Sequence, residues 1–67
     1  MNLQDTHISA AIRNGGQLMV KQAIHGKWIF HARITMQDGA TTVGDISTTE
    51  DGAMENLEEK LKKESQN

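Results

Sequence analysis

Residues 18–36, LMVKQAIHGKWIFHARITM, decide the fold, because their alternation folds back on itself about one short turn. With His25-Gly26-Lys27 as the loop, Ile24 opposes Trp28, Val20 opposes Ala32 and Leu18 opposes Ile34. One face of the ribbon is then apolar except for Gln22, and both aromatic residues, Trp28 and Phe30, belong to it. The other face carries Met19, Lys21, Ile29, His31 and Arg33. A hairpin with one buried and one mildly basic side follows from period-two patterning alone.

Working outward, the chain contains no proline, and its six glycines fall mostly between alternating runs, where they read as turn markers. Asp38-Gly39 suits a two-residue type I′ turn, with a third strand over Ala40 to Ile46. That turn sets Val43 beside Ile34 and puts Ile46 on the opposite side unless Gly44 forms a bulge.

Thr48-Thr49-Glu50-Asp51 fits a helix start with Thr48 as cap and Asp51 as the reciprocal carboxylate, and the helix should run to about Lys63. Met54, Leu57 and Leu61 form its apolar stripe with Ala53 beside it. Glu50, Asp51 and Glu55 crowd the start, and Lys60, Lys62 and Lys63 the end, as the helix dipole prefers. Residues 64–67 are expected to fray. The first residues admit two readings. Ile8, Ala10 and Ile12 alternate, and an Asn14-Gly15-Gly16 loop would pair them with Leu18 and Val20 as a fourth strand. The competitor is a short helix from Leu3 to Ile12 ended by Asn14-Gly15. The helical stripe is ragged, so the pattern favours the strand.

A chain of 67 residues has room for one small domain, here taken as 1–67, and a core this short leaves a thin margin of stability. There are no cysteines, which removes disulfides and thiolate zinc sites as reinforcement. With 36% hydrophobic and 3% aromatic residues, self-association is the remaining inexpensive route, and a homodimer is expected. A net charge of -2 argues against a nucleic-acid binder driven by overall charge, although a local basic patch is compatible with it. No run is long enough to span a bilayer and no leader is evident, so a cytoplasmic protein without a membrane partner is expected.

The residues that carry chemistry are few. His7, His25 and His31 lack metal-ligand spacing, Ser9 and Ser47 lack a nucleophile context, and Asn14-Gly15-Gly16 lacks the order of a phosphate loop. Neither an enzyme nor a cofactor is therefore expected. Lys21 with His31, and Met19 with Arg33, should be cross-strand neighbours, giving a platform of cations and apolar surface with Lys27 at the turn. Such a platform suits contact with another protein, or with single-stranded nucleic acid held by Lys21, Lys27, His31 and Arg33.

Val20-Lys21, Gly26-Lys27, Ile34 and Gly44-Asp45-Ile46-Ser47-Thr48-Thr49-Glu50 give Leu18 to Leu61 a resemblance to the single-stranded-DNA-binding domain of positive-cofactor-four coactivators. That resemblance implies a four-strand meander, a C-terminal helix that dimerises, and strand contacts from Lys21, Lys27 and Arg33. The segment is also similar to the second half of a double-stranded-RNA-binding domain, at Phe30, Gly39, Gly44, Ser47 and Ala53. Thr48, Thr49 and Glu50 stand where that family carries phosphate-binding lysines, which implies the shape without the usual grip on RNA. The overall expectation is an α+β domain: an antiparallel meander of three to four strands with one C-terminal helix on its apolar face. It is expected to be a non-enzymatic binding or regulatory protein acting through protein contacts as a homodimer, with single-stranded nucleic acid as the alternative.

Overall fold

The computed structural model describes residues 6–65. It is an α+β structure in which α1 (His7–Arg13) leads into β1 (Gln17–Gln22), β2 (Phe30–Thr35) and β3 (Thr41–Val43), followed by α2 (Glu50–Ser65). The strands form an open antiparallel sheet in the order β1-β2-β3. The first hairpin has the expected register, with Leu18 opposite Ile34, Met19 opposite Arg33, Val20 opposite Ala32 and Lys21 opposite His31. Beyond the strand ends the pairing continues for one step, since Ala23 N donates to Ile29 O at 2.8 Å.

One face of this sheet meets both helices. Ile34 and Ala32 from β2, Leu57 and Ala53 from α2, and Ile8 from α1 are buried together, and Leu18, Val20, Phe30, Met54 and Leu61 pack around them. The stripe on α2 is the one the sequence implies. At Gly44 the helix touches the sheet through bare backbone, because a Cβ there would lie 2.5 Å from Leu57 N.

The fourth strand is replaced by α1, and the local chemistry explains why. Thr6 caps the helix, its Oγ1 accepting from Ser9 N at 3.1 Å, while Ser9 Oγ donates to the Thr6 carbonyl at 2.8 Å. At the other end Gly15 takes φ +94°, and Gly15 N and Gly16 N donate to the Ile12 and Ala11 carbonyls at 3.0 and 2.9 Å. This six-to-one, five-to-two pair of bonds is a Schellman motif, so Asn14-Gly15-Gly16 stops a helix where a hairpin loop had been expected. Leu3, the first residue of the competing helical reading, lies outside the described residues.

The second turn differs from the two-residue form, and the difference moves β3 by one register step. Gly39 N donates to Met36 O at 3.0 Å and Met36 N to Ala40 O at 2.8 Å, giving a three-residue loop of Gln37, Asp38 and Gly39. Only Gly39 takes a positive φ, +92°, whereas a type I′ turn would force Asp38 there as well. Thr42 therefore opposes Ile34, and Val43 opposes Arg33 on the other face. β3 ends at Val43, short of the expected Ile46. An isolated bridge then joins Phe30 to Ser47, so that His31 and Ala32 face three residues, Gly44, Asp45 and Ile46. That extra residue acts as a bulge, and Ile46 is exposed.

The cap of α2 is Thr49, one residue beyond the expected Thr48: its Oγ1 accepts from Gly52 N at 2.9 Å. Asp51 is then one position short of the reciprocal site. The helix continues past Lys63 to Ser65, and Glu64 accepts from Thr42 Oγ1 at 3.0 Å. Residues 66 and 67 of the expected frayed tail lie outside the described residues.

One long-range interaction completes α1. The Glu58 carboxylate on α2 accepts from His7 N and Ile8 N, each at 3.0 Å, and from His7 Nδ1 at 2.7 Å. Burial works against this charge, but the two N–H groups and the imidazole outweigh it, and the carboxyl is held below its ordinary range. A depressed folded-state pKa means the contribution is complete above the ordinary carboxylate range and is lost as pH falls through the lowered value.

Two outcomes are expected. Gly44→Ala should lower the unfolding free energy by about 1 to 3 kcal/mol in urea titrations, because α2 must lift from the sheet. Glu58→Gln should cost about 1 kcal/mol at neutral pH, and its stability should fall less than that of the parent protein on acidification below the carboxylate range. Parallel pH profiles for the two proteins would rule out Glu58 as the cap of α1.

Candidate interaction surface

Both helices lie on one side of the sheet, so its other face is left without a covering element among the described residues. Three cross-strand rows make up this outer face. Lys21 pairs with His31; Met19, Arg33 and Val43 form a continuous second row; and Gln17, Thr35 and Thr41 form the third. Odd positions on β1 and β2 point outward because successive side chains alternate, and the one-step shift of β3 brings Val43 into line with Arg33. Met19 is 44% exposed and Val43 42% exposed, so an apolar group stands on each side of the Arg33 guanidinium.

Arg33 Nη2 donates to Met19 Sδ at 3.2 Å, a weak sulfur acceptor. Arg33 Nε and His31 Nδ1 are shielded from water and lack a hydrogen-bond partner among the described residues. The ion pair seen among those residues is His7 with Glu58, on the far side of the molecule, so Lys21 and Arg33 form no ion pair with a carboxylate among the described residues. The third row is held by Thr41 Oγ1 donating to Thr35 Oγ1 at 3.3 Å.

Of the four residues expected to act together, the structure brings Lys21, His31 and Arg33 onto one face. Lys27 stands apart in the loop after β1, where its N–H donates to Ile24 O at 3.0 Å. Trp28 also departs from expectation. It keeps the inner-face parity and lies 6.4 Å from the Phe30 ring, centroid to centroid, yet it is 80% exposed. It lies in the loop ahead of β2, and most of its surface is uncovered by the described residues. Ile24, its expected partner, is exposed as well.

One sequence signal for this surface lies in the distribution of charge. From Thr6 to Gln37 there is no aspartate or glutamate, while Arg13, Lys21, Lys27, Arg33 and all three histidines fall there. Eight of the nine carboxylates lie from Asp38 onward. In the fold this becomes a cationic hairpin opposite an acidic helix, which an overall charge of -2 conceals.

The three histidines are dispersed: His7 on α1 against Glu58, His25 in the loop and His31 on β2. Among the described residues, no group of three or more His, Asp or Glu side chains is placed to hold a metal ion. No helix among them is long and apolar enough to cross a membrane. No protein-family model, curated protein or solved structure matches this chain.

The two faces of the sheet should respond differently to substitution. Lys21→Glu is expected to change the unfolding free energy by less than about 0.5 kcal/mol, whereas Leu57→Ala should cost about 2 to 5 kcal/mol. Comparable losses for both in urea titrations would mean that the outer face is structural.

Proposed function

We propose that this protein is a small cytoplasmic, non-enzymatic binding module that works through protein–protein contacts as a homodimer. The observation that carries this reading is the amount of large apolar surface outside so small a core. Among the described residues five hydrophobic side chains are buried, while Ile24, Trp28 and Ile46 are exposed at the end of the sheet where Phe30 pairs with Ser47, and Met19 and Val43 are exposed on the outer face. Exposed apolar groups gathered at one end of a domain are characteristic of an interaction site. Trp28 is the natural anchor, since buried tryptophans dominate interface energetics.

Two surfaces support a division of labour. The outer face is an unsuitable place for two copies to meet about a twofold axis, because Lys21 and Arg33 of each would approach those of the other. The Trp28 end has no such conflict, apart from Lys27, which is free to turn to solvent. Self-association at that end leaves the outer face open to a different partner.

Single-stranded nucleic acid remains the second reading, favoured by the Lys21, His31 and Arg33 cluster and by the exposed indole next to Lys27. It is weakened because the outer face carries no Phe, Tyr or Trp ring on which a base could stack. The resemblance to a double-stranded-RNA-binding domain points the same way. At the start of α2 this chain has Thr48 and Thr49 followed by Glu50 and Asp51, whose carboxylates repel phosphate.

The chain's single tryptophan reports directly on the proposed dimer. Sedimentation equilibrium should show a monomer–dimer equilibrium, Trp28 emission should shift to the blue as concentration rises, and Trp28→Ala should sediment as a monomer with unchanged circular dichroism. A monomeric parent protein with concentration-independent emission would eliminate the homodimer. An electrophoretic shift with oligothymidylate at two salt concentrations addresses the second reading, which requires salt-sensitive binding.

A further inference from the structure

We infer that the outer face of the sheet docks an acidic, extended segment of a partner protein, with Arg33 at its centre. This rests on the reading of the protein as a protein-binding module and names the partner's chemistry. The decisive feature is the row Met19–Arg33–Val43, in which one cation lies between two partly exposed apolar side chains across all three strands. Lys21 and His31 form the adjacent row, and the strands themselves contain no carboxylate.

The charge on this face is unanswered from within the described residues. Among the described residues Arg33 has the Met19 sulfur as its one side-chain hydrogen-bond partner, and a guanidinium is built to take a carboxylate through two parallel hydrogen bonds. Six of the nine carboxylates lie on α2, which packs on the opposite side of the sheet, where Glu58 is committed to α1, and among the described residues no carboxylate forms an ion pair with Lys21 or Arg33. Complementarity therefore calls for carboxylates brought by another molecule.

The apolar groups narrow the choice further. Met19 is flexible and polarizable and adapts to aliphatic side chains, and Val43 offers a β-branched surface; neither replaces an aromatic platform for bases. Lys21 and Arg33 are also too few for binding driven by counterion release from a polyanion, in which affinity grows with each phosphate neutralised. An extended peptide fits both constraints. Its side chains alternate, so every second residue faces the sheet, and acidic and aliphatic residues spaced two apart can meet Lys21 and Arg33 and, between them, Met19 and Val43.

The test uses the whole chain and a labelled peptide of aspartates and glutamates around two central leucines, read by fluorescence anisotropy. A peptide with lysines in place of the acids and an oligothymidylate of equal length are the comparisons. The acidic peptide should bind, and Lys21→Glu and Arg33→Glu should each weaken it by about tenfold or more, with raised salt also weakening it. Arg33 is half-buried and its replacement can unfold the protein, so Lys21→Glu, checked by circular dichroism, is the deciding variant. Equal binding of the lysine peptide, unaltered binding by Lys21→Glu, or tighter binding of oligothymidylate would each overturn the inference. So would salt-sensitive association of the protein with itself that Lys21→Glu abolishes, since the acidic occupant would then be a neighbouring α2. Loss of the dimer on Trp28→Ala is read without peptide, so failure of the homodimer and failure of this docking face are distinguishable.

Discussion

Everything in this fold hangs on the direct seating of α2 on the sheet at Gly44. There the backbone of the helix at Leu57 stands where a side chain would otherwise be, and Leu57 descends into the space between Ile34 and Ile8. A core built from so few large side chains cannot tolerate a gap, because each lost contact is a sizeable fraction of the whole. The close approach also sets the depth at which Thr42 meets Glu64, and at which the Asn56 amide reaches the carbonyls of Asp45 and Ile46. The Asn56 bonds, together with the backbone pair Phe30–Ser47, secure the irregular stretch between β3 and α2.

How much of this was legible in the sequence depends on the range of the interaction involved. The β1–β2 register could be read from alternation alone, and so could the stripe of Met54, Leu57 and Leu61, because both are periodic features of continuous segments. The register of β3 could not, since Gly39 serves a two-residue and a three-residue loop equally well and the choice turns on whether Asp38 adopts a positive φ. α1 was obscured for a different reason. Its Thr6 cap and its Asn14-Gly15 end are local, but the acceptor for its first two N–H groups is Glu58, about fifty positions away in sequence. Trp28 shows the limit of parity: alternation assigns a direction to a side chain, and says nothing about whether a helix extends far enough to cover it.

The surface that matters for recognition was partly visible. Lys21, His31 and Arg33 were placed on one face by the same alternation that defines the core, and the structure keeps them there. Val43 joined them only through the one-step displacement of β3, which turned a presumed core residue into the third member of the row around Arg33. A turn of one extra residue thus changes the composition of a surface far from the turn. The sheet segregates charge by face, and a modest net value hides two oppositely charged sides.

The dependence of α1 on Glu58 also has a temporal side. Seven residues of helix are too short to persist alone in water, and this helix finds its acceptor only once Glu58 has been made. During synthesis on a ribosome α1 must therefore wait for α2, while the two hairpins, whose partners are near neighbours, have what they need earlier. α1 settles after the hairpins, and a nascent chain stopped short of Leu57 would carry Ile8 as an unsheltered greasy side chain, the kind that chaperones and proteases recognise.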